Sequence, residues 1–532
     1  MTEAQIPVLI AGGGPVGLAL AIELGMAGIV CTVVERRDGT VSVPKMSGLS
    51  IRSMELNRRW RIAEKVKRAG WPQTRPHDFV YCTSMTGPEL ARFKVPPYAE
   101  THIPFTPEPG AGCAQIFYDP ILLERARSLP LVTIRHMTSL DRFEQDAEGV
   151  RATVTDRTTG QSETIAARYL VGCDGADGTV VTALGFGYQG LGIVSNSINI
   201  YFRSRELMVI HDKGWARFFR FTDAGGTWGE IIGIDGEETW RLSVLKAVSG
   251  ATPDDYMRRL AGRDFDYEIL SVMSWERRER VAEHYRDRRV FIAGDAAHQN
   301  SPTGGLGLHT GLADALDLGW KLAAVLKGWG GPHLLDAYEA ERQPIALHNV
   351  RVSTDEFNIM VALPTSEDIA APTPAGTDAR KRFLEAFIRT GRGRSAIFTE
   401  NLRLGYCYEP SPICVPDGTK PIPFETPEFV AAARPGTRAP HAWIGENRST
   451  LDLFGQGFVL LRLGSSPPSS MALVEAAKTR GVPLKIVDLK DERIAALYER
   501  SLVLVRPDGH VAWRDDRPPA DALALIDRVR GT

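Results

Sequence analysis

The sequence predicts an α/β protein of three parts, and three observations predict it. The first is the stretch 8–35, which reads as strand, glycine turn, helix, strand and acid. The second is a pair of later apolar runs, 168–172 and 289–293, each ending in a Gly/Asp segment. They tie roughly the first 360 residues into one unit around a shared sheet. The third is the order after about residue 421, which is strand, helix, strand, hairpin and helix. That order predicts a separate small α/β domain. A chain of 532 residues is too long for a single core,.

The first stretch carries the most information. An apolar run at 8–11 enters Gly12-Gly13-Gly14-Pro15-Val16-Gly17, a helical pattern follows, and a second apolar run at 31–34 ends in Glu35. The spacing matches the Gly-x-Gly-x-x-Gly dinucleotide fingerprint of a Rossmann-like fold, with its acid about 20 residues on. Gly12 permits the tight turn, Gly14 lets a pyrophosphate approach the backbone, and Gly17 allows close helix–strand packing. The helix N-terminus offers unpaired N–H groups to phosphate. Glu35 is placed to accept a hydrogen bond from a ribose hydroxyl, which favours an adenosine without a 2′-phosphate.

Two stretches interrupt this unit. Residues 73–107 are rich in Pro, Phe and Tyr, and residues 187–282 hold alternating runs at 197–203, 215–222, 228–234 and 239–246. Both predict strands of one antiparallel sheet, forming a pocket wall against the nucleotide domain. The run at 289–293 leads through Gly294-Asp295 and a Gly/Pro loop into a helix expected over 310–327. Residues 334–363 read as helix, and the Pro/Thr/Ala-rich 364–380 as loop. Beyond 421, strands are expected at 458–463 and 484–489, helices at 471–480 and 520–530, and a hairpin at 501–514 around Pro507-Asp508-Gly509,.

Composition removes several function classes. The net charge is −2, and no long Lys/Arg block points to nucleic acid or an acidic membrane surface,. Six scattered cysteines without a Cys-x-x-Cys pair predict reduced thiols in a cytoplasmic protein,. The apolar stretch 6–30 is interrupted by Glu23 and a triple glycine and is preceded by no basic residue, so it reads as neither signal nor membrane span,. No metal-ligand cluster and no Ser/His/Asp nucleophile motif stands out.

Taken together, the motifs resemble the FAD-dependent aromatic hydroxylases, the single-component flavoprotein monooxygenases. Most telling is Gly294-Asp295-Ala296-Ala297-His298, then Pro302, Gly304-Gly305-Leu306-Gly307, Thr310-Gly311 and Asp314-Ala315. Near the C-terminus, Pro435-Gly436-Thr437-Arg438-Ala439-Pro440-His441 and Val505-Arg506-Pro507-Asp508-Gly509 are similar to the thioredoxin-like third domain of the phenol hydroxylase and hydroxyphenylpropionate hydroxylase branch.

The resemblance implies a discontinuous FAD-binding domain (1–72, 108–186 and 283–400, with a helical extension). It also implies a substrate-binding domain (73–107 and 187–282) and a thioredoxin-like domain (421–532). It implies FAD, NADPH or NADH as co-substrate, and oxygen transfer from a flavin C4a-hydroperoxide to an aromatic ring. A homodimer with no nucleic-acid or membrane partner follows the same pattern. Baeyer–Villiger or polyketide-ring oxygenation, and a non-catalytic FAD-binding protein, are the alternatives.

By the same resemblance the cofactor is expected at Gly12, Gly14, Pro15, Gly17, Glu35, Arg36, Lys45, Arg52, Gln115, Asp174 and Asp295, and along the loop of Pro302, Gly305, Gly307, Leu308 and His309. His309 stands where Asn is usual. Protonated, it would favour an anionic reduced flavin; neutral, it would be held by a hydrogen bond. Asp317 replaces another Asn. The usual Asp-Gly-x-x-Ser-x-Val-Arg segment ends here as Asp174-Gly175-Ala176-Asp177-Gly178-Thr179-Val180-Val181, without its Ser and Arg. A phenolic substrate needs a base or hydrogen-bond partner on the inserted sheet. Tyr201, His211, Arg220 and Trp228 lie on candidate strands, and the sequence does not choose among them.

Overall fold

The computed structural model describes residues 5–41, 44–245, 247–390, 400–424, 426 and 429–532. The expected end of the helical extension at 391–399, and Lys246 at the end of a predicted strand, lie outside the described residues.

The strand Ile6–Ala11 is apolar and lies at the centre of the first sheet. It pairs in parallel with Cys31–Val34 on one side and Ser162–Gly172 on the other. Val132–Arg135 and Val290–Ile292 extend the parallel order outward. The helix Pro15–Met26 packs against Leu306–Leu326, burying Leu18, Leu20 and Leu24. An antiparallel hairpin, Thr138–Gln145 with Val150–Asp156, is added on the edge of Ser162–Gly172.

The inserted stretches do form a second sheet. Its order is His298–Gln299, Glu268–Ala282, Tyr188–Arg203, Thr239–Val244, Gly226–Gly233, Phe218–Asp223, Phe79–Cys82 and Glu89–Phe93. It is antiparallel except where Phe218–Asp223 meets Phe79–Cys82 in parallel. The two long strands, of 16 and 15 residues, run the length of the sheet and return the chain to the first domain. The second of them reads EILSVMSWERRERVA and carries little apolar alternation, so only its partner reveals it.

Alternation gives the sheet two different faces. Ile200, Leu242, Ile231, Phe219 and Val80 point to one side and are covered by the helix Pro253–Ala261 through Tyr256, Met257 and Leu260. Tyr201, Arg241 and Ile232 align across the sheet on the other side, toward the first domain.

Two helix boundaries depart from expectation. The helix expected from residue 310 starts at Leu306, because Gly305 takes a left-handed conformation (φ +64°) that begins the helix four residues sooner,. The expected loop 364–380 contains the start of a helix, Pro374–Arg389. Its Pro and Thr are initiation signals: the Thr373 side chain accepts from Gly376 N–H, and Pro374 occupies the first turn,. Phe383 and Phe387 then pack on Tyr81.

The C-terminal sheet has the thioredoxin-like order Leu484–Leu489, Phe458–Leu463, Leu502–Val505, Val511–Asp515, with the first two parallel and the rest antiparallel. It docks through Phe458, which meets Trp320 and Trp329 edge-on. All six cysteines are free. Among the described residues no helix is long and apolar enough to cross a membrane.

A buried ionic cluster locks this docking. Arg506, from the hairpin, donates to Glu341 (2.6 Å), Asp317 (3.0 Å) and Asp508 (2.6 Å). Lys321 donates to Asp317 and Glu341, both at 2.6 Å. All five side chains are at most 1% exposed. Burial drives the Asp317 carboxyl upward, whereas against the same burial Arg506 and Lys321 hold Glu341 low. Asp317 therefore serves the domain joint. Removing one partner strands buried charge, which costs about 3–5 kcal/mol. Arg506→Leu is expected to lower unfolding stability by roughly that amount in urea titrations, and to make the C-terminal domain the first part released by limited proteolysis.

Candidate active site

The glycine turn is shaped by contacts that no side chain tolerates. Gly12 sits at φ +104°, and a Cβ there would lie 2.3 Å from the carbonyl oxygen of Cys173. A Cβ on Gly17 would lie 2.0 Å from the carbonyl oxygen of Gly12. Gly14 differs: nothing lies within 4 Å of its added Cβ. Gly14 is also the N-cap of Pro15–Met26, which has no side-chain cap and no acid in its first turn. The amides of that turn thus face open space without a side-chain acceptor, as an anion site requires. Glu35 accepts from Gly13 N–H (2.7 Å) and Arg37 N–H (2.9 Å), leaving each oxygen one further lone pair,. Arg36 is exposed beside it.

A second uncapped N-terminus lies at Gly305, where again no atom fills the place of a Cβ. The turn Gly294–Ala296 is fixed to this helix by Asp314, which accepts from Gly294 N–H (3.1 Å), His298 (2.8 Å) and Arg342 (2.8 Å). Burial works against the Asp314 anion, but His298 and Arg342 hold its carboxyl below the usual range. Asp314 is legible in the sequence only as part of the family motif, and Arg342 carries no local signal; their positioning role appears only in the fold. Asp295 is left exposed between buried neighbours. Asp174 accepts from Val180 N–H (2.9 Å), and its other oxygen is buried without a partner.

The structure brings most of the remaining residues together. Pro302 accepts from Gly305 N–H (3.0 Å), and Gly307, Leu308 and His309 form the first turn of the helix. His309 Nδ1 lies 2.6 Å from Ser53 Oγ, and burial with nearby Arg403 lowers its pKa to about 3. The bond to Ser53 and the lowered pKa favour the neutral, hydrogen-bonded form over the protonated one. Lys45 N–H donates to Gln115 Oε1 (3.0 Å). Arg52 is turned away: it donates to Glu55 (3.0 Å) and the Asp508 carbonyl (3.4 Å), at the joint with the C-terminal domain.

The four candidates separate by face, and His211 lies off the strands, in the segment between Tyr188–Arg203 and Phe218–Asp223. Tyr201 packs against Ala114, the N-cap of Gln115–Arg127, and so faces the first domain. Arg220 shares that face but is engaged by Glu230 (2.5 Å) and the Tyr81 hydroxyl (2.6 Å). His211 packs edge-on against Phe219 of the opposite face, and burial lowers its pKa to about 4. It is neutral and on the wrong side of the sheet, which removes it as a candidate. Trp228, stacked on Phe221, is removed for the same reason.

Beside Gln115, burial pushes the Asp119 carboxyl up to about 7, with only the Gln115 amide (3.0 Å) opposing it. The folded state then holds a proton that the unfolded chain releases near pH 4. Stability contributed at low pH is lost as pH rises toward 7. Asp119→Asn is expected to abolish this slope and to stabilise the protein by roughly 2–4 kcal/mol at pH 8, with little effect at pH 4. Denaturation across that pH range checks it.

Comparison with known proteins agrees with this geometry. The family described as FAD binding domain matches residues 5–353. The family described as aromatic-ring hydroxylase, C-terminal, matches residues 432–531. A putative polyketide hydroxylase of Streptomyces halstedii is 34% identical over 98% of this chain and 95% of its own length. The 4-methyl-5-nitrocatechol 5-monooxygenase of a Burkholderia species is 32% identical over 99% and 97%. Among solved structures, chromopyrrolic acid-soaked RebC with bound 7-carboxy-K252c is 39% identical, with a TM-score of 0.94 over 99% of both chains. The chain belongs to the FAD-dependent aromatic-ring hydroxylases, a family of flavoprotein monooxygenases.

Proposed function

We propose that this enzyme hydroxylates a phenolic or related aromatic ring with NADPH or NADH and O2, in the space between the glycine loops and the polar face of the inserted sheet. The observation that carries the reading is a pair of neighbouring, uncapped, glycine-led helix N-termini on the first domain and a polar sheet face that turns toward that domain.

The residues fit FAD. The amides after Gly14 and Pro15 would take the pyrophosphate, and Glu35, with Arg36 beside it, the adenosine ribose. Exposed Asp295 and the unpartnered oxygen of Asp174 are suited to hydroxyls of the ribityl chain. The turn from Pro302 to His309 would face the flavin ring, with Lys45 and Gln115 closing the opposite side. When bound, FAD carries electrons from NAD(P)H to O2 and delivers one oxygen atom to the ring. The chain binds, orients and excludes water. The inserted sheet walls off the ring, and the Tyr201 hydroxyl hydrogen-bonds the substrate oxygen. Burial raises the Tyr201 pKa, so at neutral pH this group donates a hydrogen bond and is a poor base,.

Val181 is buried in the core where the family's coenzyme segment ends in Arg, so that cation is not available for NAD(P)H. The polyketide hydroxylase relative favours a second reading, oxygenation of a fused polyketide-type ring. The family resemblance also supports a cytoplasmic homodimer.

Two outcomes are expected. FAD-loaded protein should oxidise NADPH or NADH faster with one member of an aromatic panel and yield a product heavier by one oxygen atom. Tyr201→Phe should cut that product rate about tenfold or more, with His211→Gln within about twofold of wild type. A panel without stimulation or oxygenated product counts against the reading. Gly14→Ala should leave the apoprotein's melting unchanged yet weaken FAD binding at least about tenfold in a fluorescence titration, because the added methyl fills the phosphate approach.

A further inference from the structure

The polar face of the inserted sheet holds more positive charge than its surroundings neutralise. Arg220, Arg241 and Arg277 on that face, and Arg217 at its edge just before the strand Phe218–Asp223, are each at most 6% exposed. Among the described residues, only Arg220 of these four has a carboxylate in hydrogen-bond reach, Glu230 at 2.5 Å. The other three have neutral partners. Arg241 donates to the carbonyls of Pro44 (2.6 Å) and Lys45 (2.8 Å). Arg217 donates to the carbonyl of Ser47 and lies 3.4 Å from His77 Nδ1. Arg277 donates to the hydroxyls of Ser301 (2.7 Å) and Thr303 (3.4 Å). The Nε–H of each of these three is buried without an acceptor.

Arg241 and Arg217 lie near Tyr201, the proposed substrate contact, and Arg277 lies further along the same long strand pair, opposite Ser195. Arg241 is the direct cross-strand partner of Tyr201, so the two side chains rise from the sheet together,. Arg217 and Arg241 both rest on the 44–48 loop, and the charge of Arg217 adds to burial in lowering Arg241. Burial lowers all three arginines, Arg241 and Arg277 to about 10. A buried charge without a counterion is unfavourable, and an apolar side chain of similar size would normally serve folding better. His77 adds no compensation, because burial and Arg217 lower its pKa to about 2 and leave it neutral.

We propose that Arg241 and Arg217 bind a carboxylate of the aromatic substrate, with Arg277 adding to the field, so that the preferred substrate is an aromatic acid rather than a neutral phenol. The inference rests on the aromatic hydroxylase reading and narrows its substrate class. Pairing Arg241 with Tyr201 also sets the orientation: the acid group is held beside the 44–48 loop and the ring hydroxyl at Tyr201. Phosphate groups of NAD(P)H share the same anionic chemistry and are the competing source of the charge.

The test is equilibrium binding to the FAD-loaded protein at neutral pH and low salt, followed by perturbation of the flavin absorbance. The probes are acid and amide pairs: 4-hydroxybenzoate with 4-hydroxybenzamide, and naphthalene-2-carboxylate with its carboxamide. The acids should bind at least about tenfold tighter than the amides. In Arg241→Met and Arg217→Met the preference should fall to within about twofold, with melting temperatures equal to or above wild type, and Arg241→Lys should retain part of it. Acids that bind no tighter than amides, or that do not perturb the flavin, overturn the proposal. So do Met variants that melt lower while keeping the acid preference, which would make the arginines structural. Weakened equilibrium binding of NAD(P)H in the Met variants with intact acid preference assigns the arginines to the coenzyme and also overturns it. Because no turnover is read, failure of the monooxygenase assay and failure of this binding test remain distinct.

Discussion

The buried contact among Arg506, Glu341, Asp317, Lys321 and Asp508 is the constraint on which the rest of the architecture depends. Charges without access to water tolerate little displacement, because each lost partner leaves a desolvated ion. The cluster therefore fixes the C-terminal hairpin against two helices at once, Leu306–Leu326 and Asp336–Val361. The first of these carries the site at its other end. Asp317 and Lys321 hold its later turns, Asp314 holds the Gly294–Ala296 turn beside it, and its opening turn contains Gly307, Leu308 and His309. The C-terminal domain thus positions the helix whose opening turn is proposed to face the flavin.

The inserted sheet divides its labour by face. One face is apolar and covered by the helix Pro253–Ala261, and this side supplies the stability of the insertion,. The other gathers Tyr201, Arg241, Arg217, Arg220 and Glu230 against the loops of the first domain. A sheet can combine the two because successive side chains point to opposite sides, so one strand serves the core and the site with alternate residues. The unpaired guanidinium groups are costly to folding, and the apolar face and long paired strands offset that cost.

The departures from the family pattern also find physical roles. Asp317 joins the ionic cluster at the domain joint. His309 is tied to Ser53, and burial with the nearby Arg403 charge lowers its pKa to about 3, which disfavours a second cation there. Val181 packs in the core. Asp177, in the same altered segment, pairs with Arg278 of the long return strand.

Local sequence by itself determined the parts whose chemistry is contained in a short stretch. The glycine turn, Glu35, the Gly294-Asp295 turn, the strand-rich insertions and the C-terminal strand order were legible because backbone sterics and hydrophobic period act over a few residues. Even the misread 364–380 segment carried its helix start in Thr373 and Pro374. Which face a side chain joins was not legible. Tyr201 and His211 look equivalent in the sequence, yet His211 lies in the segment between two strands and packs on Phe219, whereas strand register turns Tyr201 toward the first domain,. Pairings across hundreds of residues, such as Arg506 with Glu341 or Arg241 with the Lys45 carbonyl, leave no local trace. They exist only where the folded chain brings distant charges and acceptors out of water together, and that the tertiary structure alone decided.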